Sequence, residues 1–188
     1  MTQRQRRVRD RTERAQRIVT AARELAEAEG WDAVTTRRLA ALIEYSQPVL
    51  YSHFPGGKDA IMAAAALEGF AELATALAAG REGGVAGVAS TYVAFADGKP
   101  ALYDAMFTLA SELPFAKDET PEVMKACFAE LLAVIEPVAD EPDAGALTEV
   151  FWSTLHGLVT LDRGHRLSPA YRAERLALVV ARFGARGD

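Results

Sequence analysis

The nonapeptide SQPVLYSHF, residues 46–54, gathers Ser46, Gln47, Tyr51, Ser52 and His53, all able to exchange hydrogen bonds, around the aliphatic Val49 and Leu50. Displayed on a helix, such groups suit the DNA major groove, which is about 12 Å wide, admits one helix and presents a distinct donor and acceptor pattern for each base pair. Gln47 can pair bidentately with adenine, and Arg37, at the start of the preceding helical segment, can reach guanine O6 and N7. Pro48 and Val49 offer apolar contact to a thymine methyl group. Tyr51, Ser52 and His53 suit phosphate oxygens, as do Thr35 and Thr36, whose amides and hydroxyls open a helix where partial positive charge collects. Leu39, Leu50 and Phe54 remain for a small core. Each of these residues taken alone also suits a core or a solvated surface. Their joint spacing, behind a run of arginines, is what points to nucleic acid.

Helices are the elements that would position them. From Arg17 to Glu29, Ile18, Ala21, Ala22, Leu25 and Ala28 recur at three and four residues, one stripe of an amphipathic helix that Gly30 is placed to close. Thr35 is a good N-cap for a second helix, Thr36 to Ile43, with Leu39, Ala40 and Ile43 turned one way. After a tight break at Glu44 and Tyr45, Ser46 is another N-cap candidate, and Pro48 falls in a first turn, where its missing N–H has no intrahelical acceptor to lose. Two short helices around a tight turn make a helix-turn-helix outline. Beyond Gly57 there is no alternation of period two. The spacing predicts helices over Lys58–Ala79, Val85–Ala96, Ala101–Leu113, Pro121–Val138 and Asp143–Arg163, and a last one capped by Ser168, with Pro169 in its first turn, through Phe183. The expected fold class is all-α. Asp143–Arg163 is apolar on two sides, one with Leu147, Val150, Phe151, Leu158 and Leu161, the other with Trp152, Leu155 and Val159, so it needs two partners.

Half of the 188 residues are hydrophobic and a quarter charged, a globular balance. The longest uninterrupted apolar stretch, Ile61 to Leu67, falls far short of the roughly 20 residues that span a bilayer, so a soluble chain with no membrane partner is expected. No apolar segment follows the basic N-terminus as in a secretory signal, and Cys127, the single cysteine, allows no intrachain disulfide; a cytoplasmic setting is expected. Charge is divided unevenly: residues 1–58 hold 11 Lys or Arg against 7 Asp or Glu, net +4, and residues 59–188 hold 10 against 19, net −9. The basic excess lies in Arg4, Arg6, Arg7, Arg9, Arg11, Arg14 and Arg17, opposed only by Asp10 and Glu13. Residues 1–16 thus read as a basic arm that favours polyanions, or as a solvated tail.

Catalysis finds little support. PGGKD, residues 55–59, fails the phosphate-loop pattern, because Ser52 stands where the first glycine belongs and Asp59 where the hydroxyl belongs. His156, Asp162 and His165 lack a zinc-ligand spacing, and there is no nucleophile elbow. No enzyme activity, cofactor or metal is expected.

The run RIVTAARELAEAEGWDAVTTRRLAALIEYSQPVLYSHFPGGKDAI, residues 17–61, resembles the N-terminal domain of TetR-type transcriptional regulators, TTRRLA and QPVLYSHF most of all, within a likeness covering residues 12–72. The resemblance implies a three-helix DNA-binding domain over residues 17–57 and a helical regulatory and dimerisation domain over 58–188. It implies a homodimer that binds double-stranded DNA in a sequence-specific way, a repressor released from a palindromic operator by a small-molecule effector that moves a long connecting helix. It also implies a phosphate contact for Lys58, which stands one residue further from Phe54 than the family's commonest spacing. Glu44 occupies a turn position that is usually glycine, and Tyr45 one that is usually small and aliphatic. WSTLHGL, Trp152 to Leu158, is similar to a Trp, His, Gly signature in one subgroup of the family's regulatory domains.

In the acidic C-terminal part, Tyr92, Phe95, Met106, Phe107, Met124, Phe128, Trp152 and His156 are candidates to line the effector site, and apolar walls suit an apolar or aromatic molecule. The same stripes suit plain core. One helix-turn-helix buries too little surface for selective binding, so two copies about a twofold axis would read a palindrome. The surplus apolar faces of the last two helices, with Phe151, Leu158, Leu176, Val179, Val180 and Phe183, are the candidate dimer interface, unless one subunit buries them itself. A ligand-independent architectural DNA-binding protein is the alternative, but it would need no such large second domain.

Overall fold

The computed structural model describes residues 2–110, 113–139 and 144–184, and every regular element among them is helical. In chain order these are α1 (Gln3–Glu29), α2 (Thr36–Leu42), α3 (Gln47–His53), α4 (Gly57–Gly80), α5 (Gly84–Gly98), α6 (Pro100–Asp104), α7 (Glu122–Ile135), α8 (Ala144–Arg163) and α9 (Arg172–Phe183). Asp143, expected to open α8, lies outside the described residues. Contacts group the chain into two units, Met1–Gly69 with Lys99–Pro114, and Phe70–Gly98 with Phe115–Asp188. Residues 58–69 and 99–110, placed in the C-terminal domain by sequence order, group with the N-terminal helices.

In the first unit, α1 begins well before its apolar stripe. Residues 3–16, expected as an arm, are helical and continuous with 17–29. The cause is local: the Thr2 hydroxyl accepts from the Gln5 amide (3.3 Å) and the Gln5 side-chain oxygen accepts from the Thr2 amide (2.7 Å), a reciprocal cap that satisfies two donors at the helix start. Gly30, at φ +83°, ends the helix as expected, its N–H bonded to Ala26 O at 2.8 Å. The inner face buries Ile18, Val19, Ala22, Leu25 and Ala26.

α6 is fastened to α1 from a distance of some seventy residues in sequence. The Glu27 carboxylate accepts from the Ala101 and Leu102 amides (3.1 and 2.9 Å), first-turn donors that no carbonyl within α6 can satisfy. The buried Trp31 donates its indole N–H to Ala101 O at 2.7 Å. Glycine at 69 lets α4 lie close to α6 and the turn after it, since a β-carbon there would stand 3.1 Å from Leu102 Cδ1 and 2.6 Å from Met106 Sδ. The helix expected over Ala101–Leu113 is shorter: it passes into a π turn, Ala105–Leu109, closed by Ala110 N to Ala105 O at 3.1 Å. Pro114 in turn biases Leu113 away from helical geometry.

The second unit is a helical bundle built on the C-terminal part of α4 with α5, α7, α8 and α9. At the α4–α5 junction two backbones touch, because a β-carbon at Gly87 would collide with the Gly80 carbonyl. The core holds Val88, Tyr92 and Phe95 of α5, Met124, Leu131 and Ile135 of α7, and Phe151, Leu155 and Val159 of α8. The Cys127 thiol is buried there, and burial, then the charge of Glu130, pushes its pKa up to about 12, so it is an inert thiol. Ser168 does not cap α9 with its side chain; a 3₁₀ turn, Pro169–Tyr171, intervenes. Arginines fasten the start of α9 instead: Arg172 Nη2 holds the Asp97 carboxylate at 2.6 and 2.7 Å and its Nε the Asp162 carboxylate at 3.0 Å, while Arg175 reaches Asp162 (3.0 Å) and Ser168 O (2.7 Å).

The continuous stretch Gly57–Gly98 is long and apolar enough to cross a membrane by length and composition. Its Ile61, Met62, Phe70, Leu73, Leu77, Val88 and Phe95 are buried in the protein's own interior, the pattern of core helices.

Candidate nucleic-acid interface

Thr35 caps α2 as its type predicts, with extended backbone (φ −125°, ψ 150°) and its hydroxyl accepting from the Arg38 amide at 3.2 Å. Leu39 and Leu50 are buried between the short helices and α1, and Phe54 is half-buried. The turn between α2 and α3 runs through Glu44 at φ 57°, and Tyr45 N closes it on Ala40 O at 2.9 Å. The Arg17 guanidinium stacks 5.2 Å from the centre of the Tyr45 ring, so the aromatic residue in the turn is held from α1. A left-handed conformation costs an L-residue such as Glu44 about 1 kcal/mol. Glu44→Gly should therefore raise the unfolding free energy in urea by about 1 kcal/mol. A loss of stability would show that the Glu44 side chain contributes more than its backbone strain removes.

Ser46 occupies the N-cap position of α3, yet its hydroxyl makes no capping bond; its carbonyl accepts from the Val49 and Leu50 amides (3.0 and 3.3 Å). Pro48 sits in the first turn, as expected. Gln47, Pro48, Tyr51 and Ser52 are exposed on one face of α3, while Val49 and His53 are half-buried. The Ser52 hydroxyl donates to Val49 O at 2.7 Å. Tyr51 leans on Gly57, which has φ +62° and whose β-carbon, were there one, would lie 3.4 Å from the ring. Burial first, then the positive charges of Arg11 and Arg14, hold the His53 pKa below the usual imidazole value, so the ring is neutral near pH 7.

The two arginines of α2 differ. Arg38 is held by the Glu29 carboxylate at 2.7 and 2.9 Å, a bidentate pair that lowers the Glu29 pKa and raises that of Arg38, mainly through the hydrogen bonds. Arg37 is exposed and has no acidic partner among the described residues. Thr35 is exposed and Thr36 half-buried at the same helix start. Lys58 points elsewhere: its ammonium donates to the Trp31 carbonyl at 2.6 Å, leaving only its remaining N–H bonds for a phosphate. Arg11, absent from the sequence-based site, donates to Ser52 O at 2.8 Å and ties α1 to the end of α3. The Thr2-x-x-Gln5 capping pattern was the available signal that the basic segment is helical.

The residues proposed for an effector divide between the units. Met106 and Phe107 belong to the first, Met106 buried and Phe107 against Tyr103 with ring centres 4.7 Å apart. In the second, Tyr92, Phe95 and Met124 are buried and Phe128, Trp152 and His156 half-buried. Trp152 donates its indole N–H to Tyr92 Oη at 3.0 Å, with the His156 ring 6.4 Å away between centres. Burial lowers the His156 pKa, which makes this an apolar cluster carrying neutral polar groups. An open cleft of about 380 Å³ lies between α5, α8 and α9, but the charges at its rim, Asp97, Asp162, Arg172 and Arg175, are spent on one another.

Of the residues expected at a dimer interface, Phe151 and Val179 are buried within the chain, and Leu158, Leu176, Val180 and Phe183 are half-buried. Phe151 and Phe183 face each other with ring centres 5.2 Å apart. The apolar side chains that α8 and α9 leave most open are Val150, Leu161 and Leu178.

A short capped helix, a tight turn and a second helix with an exposed polar face, framed by arginines, define a DNA-binding helix-turn-helix protein. Residues 18–65 match the family described as bacterial regulatory proteins, tetR family, and residues 85–183, more than half of the chain, match the tetracyclin repressor-like C-terminal domain. The chain belongs to the TetR family of transcriptional regulators. Its fold is similar to that of a protein of unknown function from Rhodococcus sp. RHA1 (TM-score 0.76, 24% identity, covering 92% of this chain and 95% of that one). It is also similar to a bacterial regulatory protein in the tetR family from Rhodococcus RHA1 (TM-score 0.62, 21% identity, 93% and 98% covered). No curated protein matches the chain in sequence. Members of the family bind DNA operators, form homodimers and respond to small-molecule effectors.

Proposed function

We propose that the protein is a cytoplasmic repressor that holds a palindromic operator as a homodimer and releases it when a small molecule occupies the C-terminal unit. The observation that carries the DNA half is the exposed face of α3, Gln47, Pro48, Tyr51 and Ser52, beside an Arg37 with no acidic partner among the described residues. Gln47 and Arg37 read bases; Pro48 and the exposed edge of Val49 meet thymine methyl groups. Thr35, Thr36, Ser46, Tyr51 and His53 set the register on phosphates, Ser46 with a hydroxyl that its own helix leaves unused, and Ser52 joins them once its hydroxyl proton turns from Val49 O.

Dimerisation is assigned to the outer row of α8 and α9. Val150, Thr154, Gly157 and Leu161 repeat at four, three and four residues, and a β-carbon at Gly157 would meet nothing within 4 Å, so a second helix has room to approach. Leu178 of α9 is 60% exposed. Leu178→Asp should leave helical content and folding intact while reducing the mass in solution to that of one 20.3 kDa chain. A persistent dimer would remove Leu178 from the interface.

The effector reading rests on Tyr92, Trp152 and the neutral His156, which suit an apolar or aromatic molecule with one hydrogen-bonding group. Anisotropy of a labelled operator duplex, titrated with a panel of such molecules, tests it. Release by at least one compound is the expected result; compounds that only strengthen binding would make the protein one that needs its ligand to hold DNA.

A further inference from the structure

We infer that the N-terminal half of α1 is a second phosphate-binding ridge, on which Arg4, Arg7, Arg11 and Arg14 hold duplex DNA outside the base pairs reached by α3. The inference rests on the operator-binding reading above and extends it to the flanks of the site.

With 3.6 residues per turn, positions 4, 7, 11 and 14 fall along one face of a helix. Two observations orient that face. Arg11 Nη2 donates to Ser52 O at 2.8 Å, and the charges of both Arg11 and Arg14 are felt at His53. The ridge therefore meets the C-terminal end of α3, where Tyr51, Ser52 and His53 stand, and runs outward from it. Arg4 lies roughly 10 Å beyond Arg11 along the axis, at about 1.5 Å per residue.

The chemistry of the ridge calls for an anion. Arg4, Arg7 and Arg14 are exposed and have no acidic partner among the described residues, whereas Arg9, on another face, is neutralised by Asp10 and Glu13 at 3.8 and 3.3 Å. The first turn contains no acid, so Arg4 and Arg6 sit at the positive end of the helix dipole, an arrangement that repels itself until a polyanion covers it. Duplex DNA carries one negative charge per about 1.7 Å of axis, and it is the polyanion already seated on the adjoining helix. Because the reciprocal Thr2–Gln5 cap forms the helix beforehand, the arginines arrive in register with no ordering of a loose arm.

The test is the salt dependence of binding for the full-length dimer carrying Arg4→Ala and Arg7→Ala, substitutions that keep a good helix former at both positions. Affinity is measured over a series of salt concentrations on a duplex with long flanks and on one trimmed to the recognised base pairs. On the long duplex the slope of log affinity against log salt should fall in magnitude by about 1.8 per protomer, two phosphate contacts at about 0.9 each. On the trimmed duplex the variant and the wild type should coincide, and Arg4→Lys with Arg7→Lys should restore the wild-type slope on the long one. An unchanged slope on the long duplex, or an equal loss on both duplexes, overturns the ridge while leaving the operator reading standing. A wild-type protein that selects no duplex at all overturns the operator reading, and the ridge with it.

Discussion

Trp31→Ala should lower the unfolding free energy by about 3 to 5 kcal/mol, the usual cost of deleting a large buried aromatic side chain. The indole is buried and bonded to α6, and it does more than fill space. Its N–H binds Ala101 O at 2.7 Å, next to the pair of amides that Glu27 accepts from. Its own carbonyl receives the Lys58 ammonium. Removing the ring thus opens a cavity and slackens the attachment of α6 at one stroke. Trp31→Phe keeps most of the volume and loses the indole donor, so its cost should be only about 1 kcal/mol, because Ala101 O keeps its bond within the helix. Urea unfolding followed by circular dichroism measures both. If the alanine variant stayed within about 1 kcal/mol of wild type, Trp31 would not be the anchor described.

Arg37→Ala should weaken binding to the preferred operator by about 1 to 3 kcal/mol per half-site, the value of one good bidentate contact to guanine. The loss should be confined to one base pair per half-site, leaving affinity for unrelated duplexes nearly unchanged. Tyr51→Phe should do the opposite, weakening all duplexes alike, because phosphate contacts carry no sequence information. Arg38 provides the internal comparison: its Nη1 and Nη2 are engaged by Glu29 and its charge is paired there, so Arg38→Ala should relax preference at a single base pair less than Arg37→Ala does. Competition binding against duplexes substituted one base pair at a time distinguishes these patterns. An Arg37→Ala protein with the wild-type preference would refute the base contact.

The reading head was legible in the sequence because its signals are local. Gly30, Thr35 and Pro48 each act on the backbone within a turn of themselves, and each does what its residue type predicts. Ser46 and Ser168 have the same type of signal, yet neither hydroxyl caps its helix, since backbone and arginine contacts take over. The length of α6 was not legible: its start is set by Glu27 and its packing by the gap at Gly69, partners far away in sequence. The two apolar faces of α8 were visible as a pattern, but leucine and valine on both sides say nothing about which is turned inward. Packing decides that, taking Phe151 into the core and leaving Val150 and Leu161 outside. The helical state of residues 3–16 was concealed by charge, because a run of arginines looks like a tail unless the cap at Thr2 and Gln5 is noticed.

The central claim is that two copies of the α2–α3 head read DNA together. Selection of bound sequences from a pool of random duplexes by the purified wild-type protein tests it most directly. The account predicts enrichment of two inverted copies of one half-site, with centres a helical turn or a multiple of it apart, about 34 to 36 Å per turn. Enrichment of a single unrepeated element, or of no sequence at all, would contradict it.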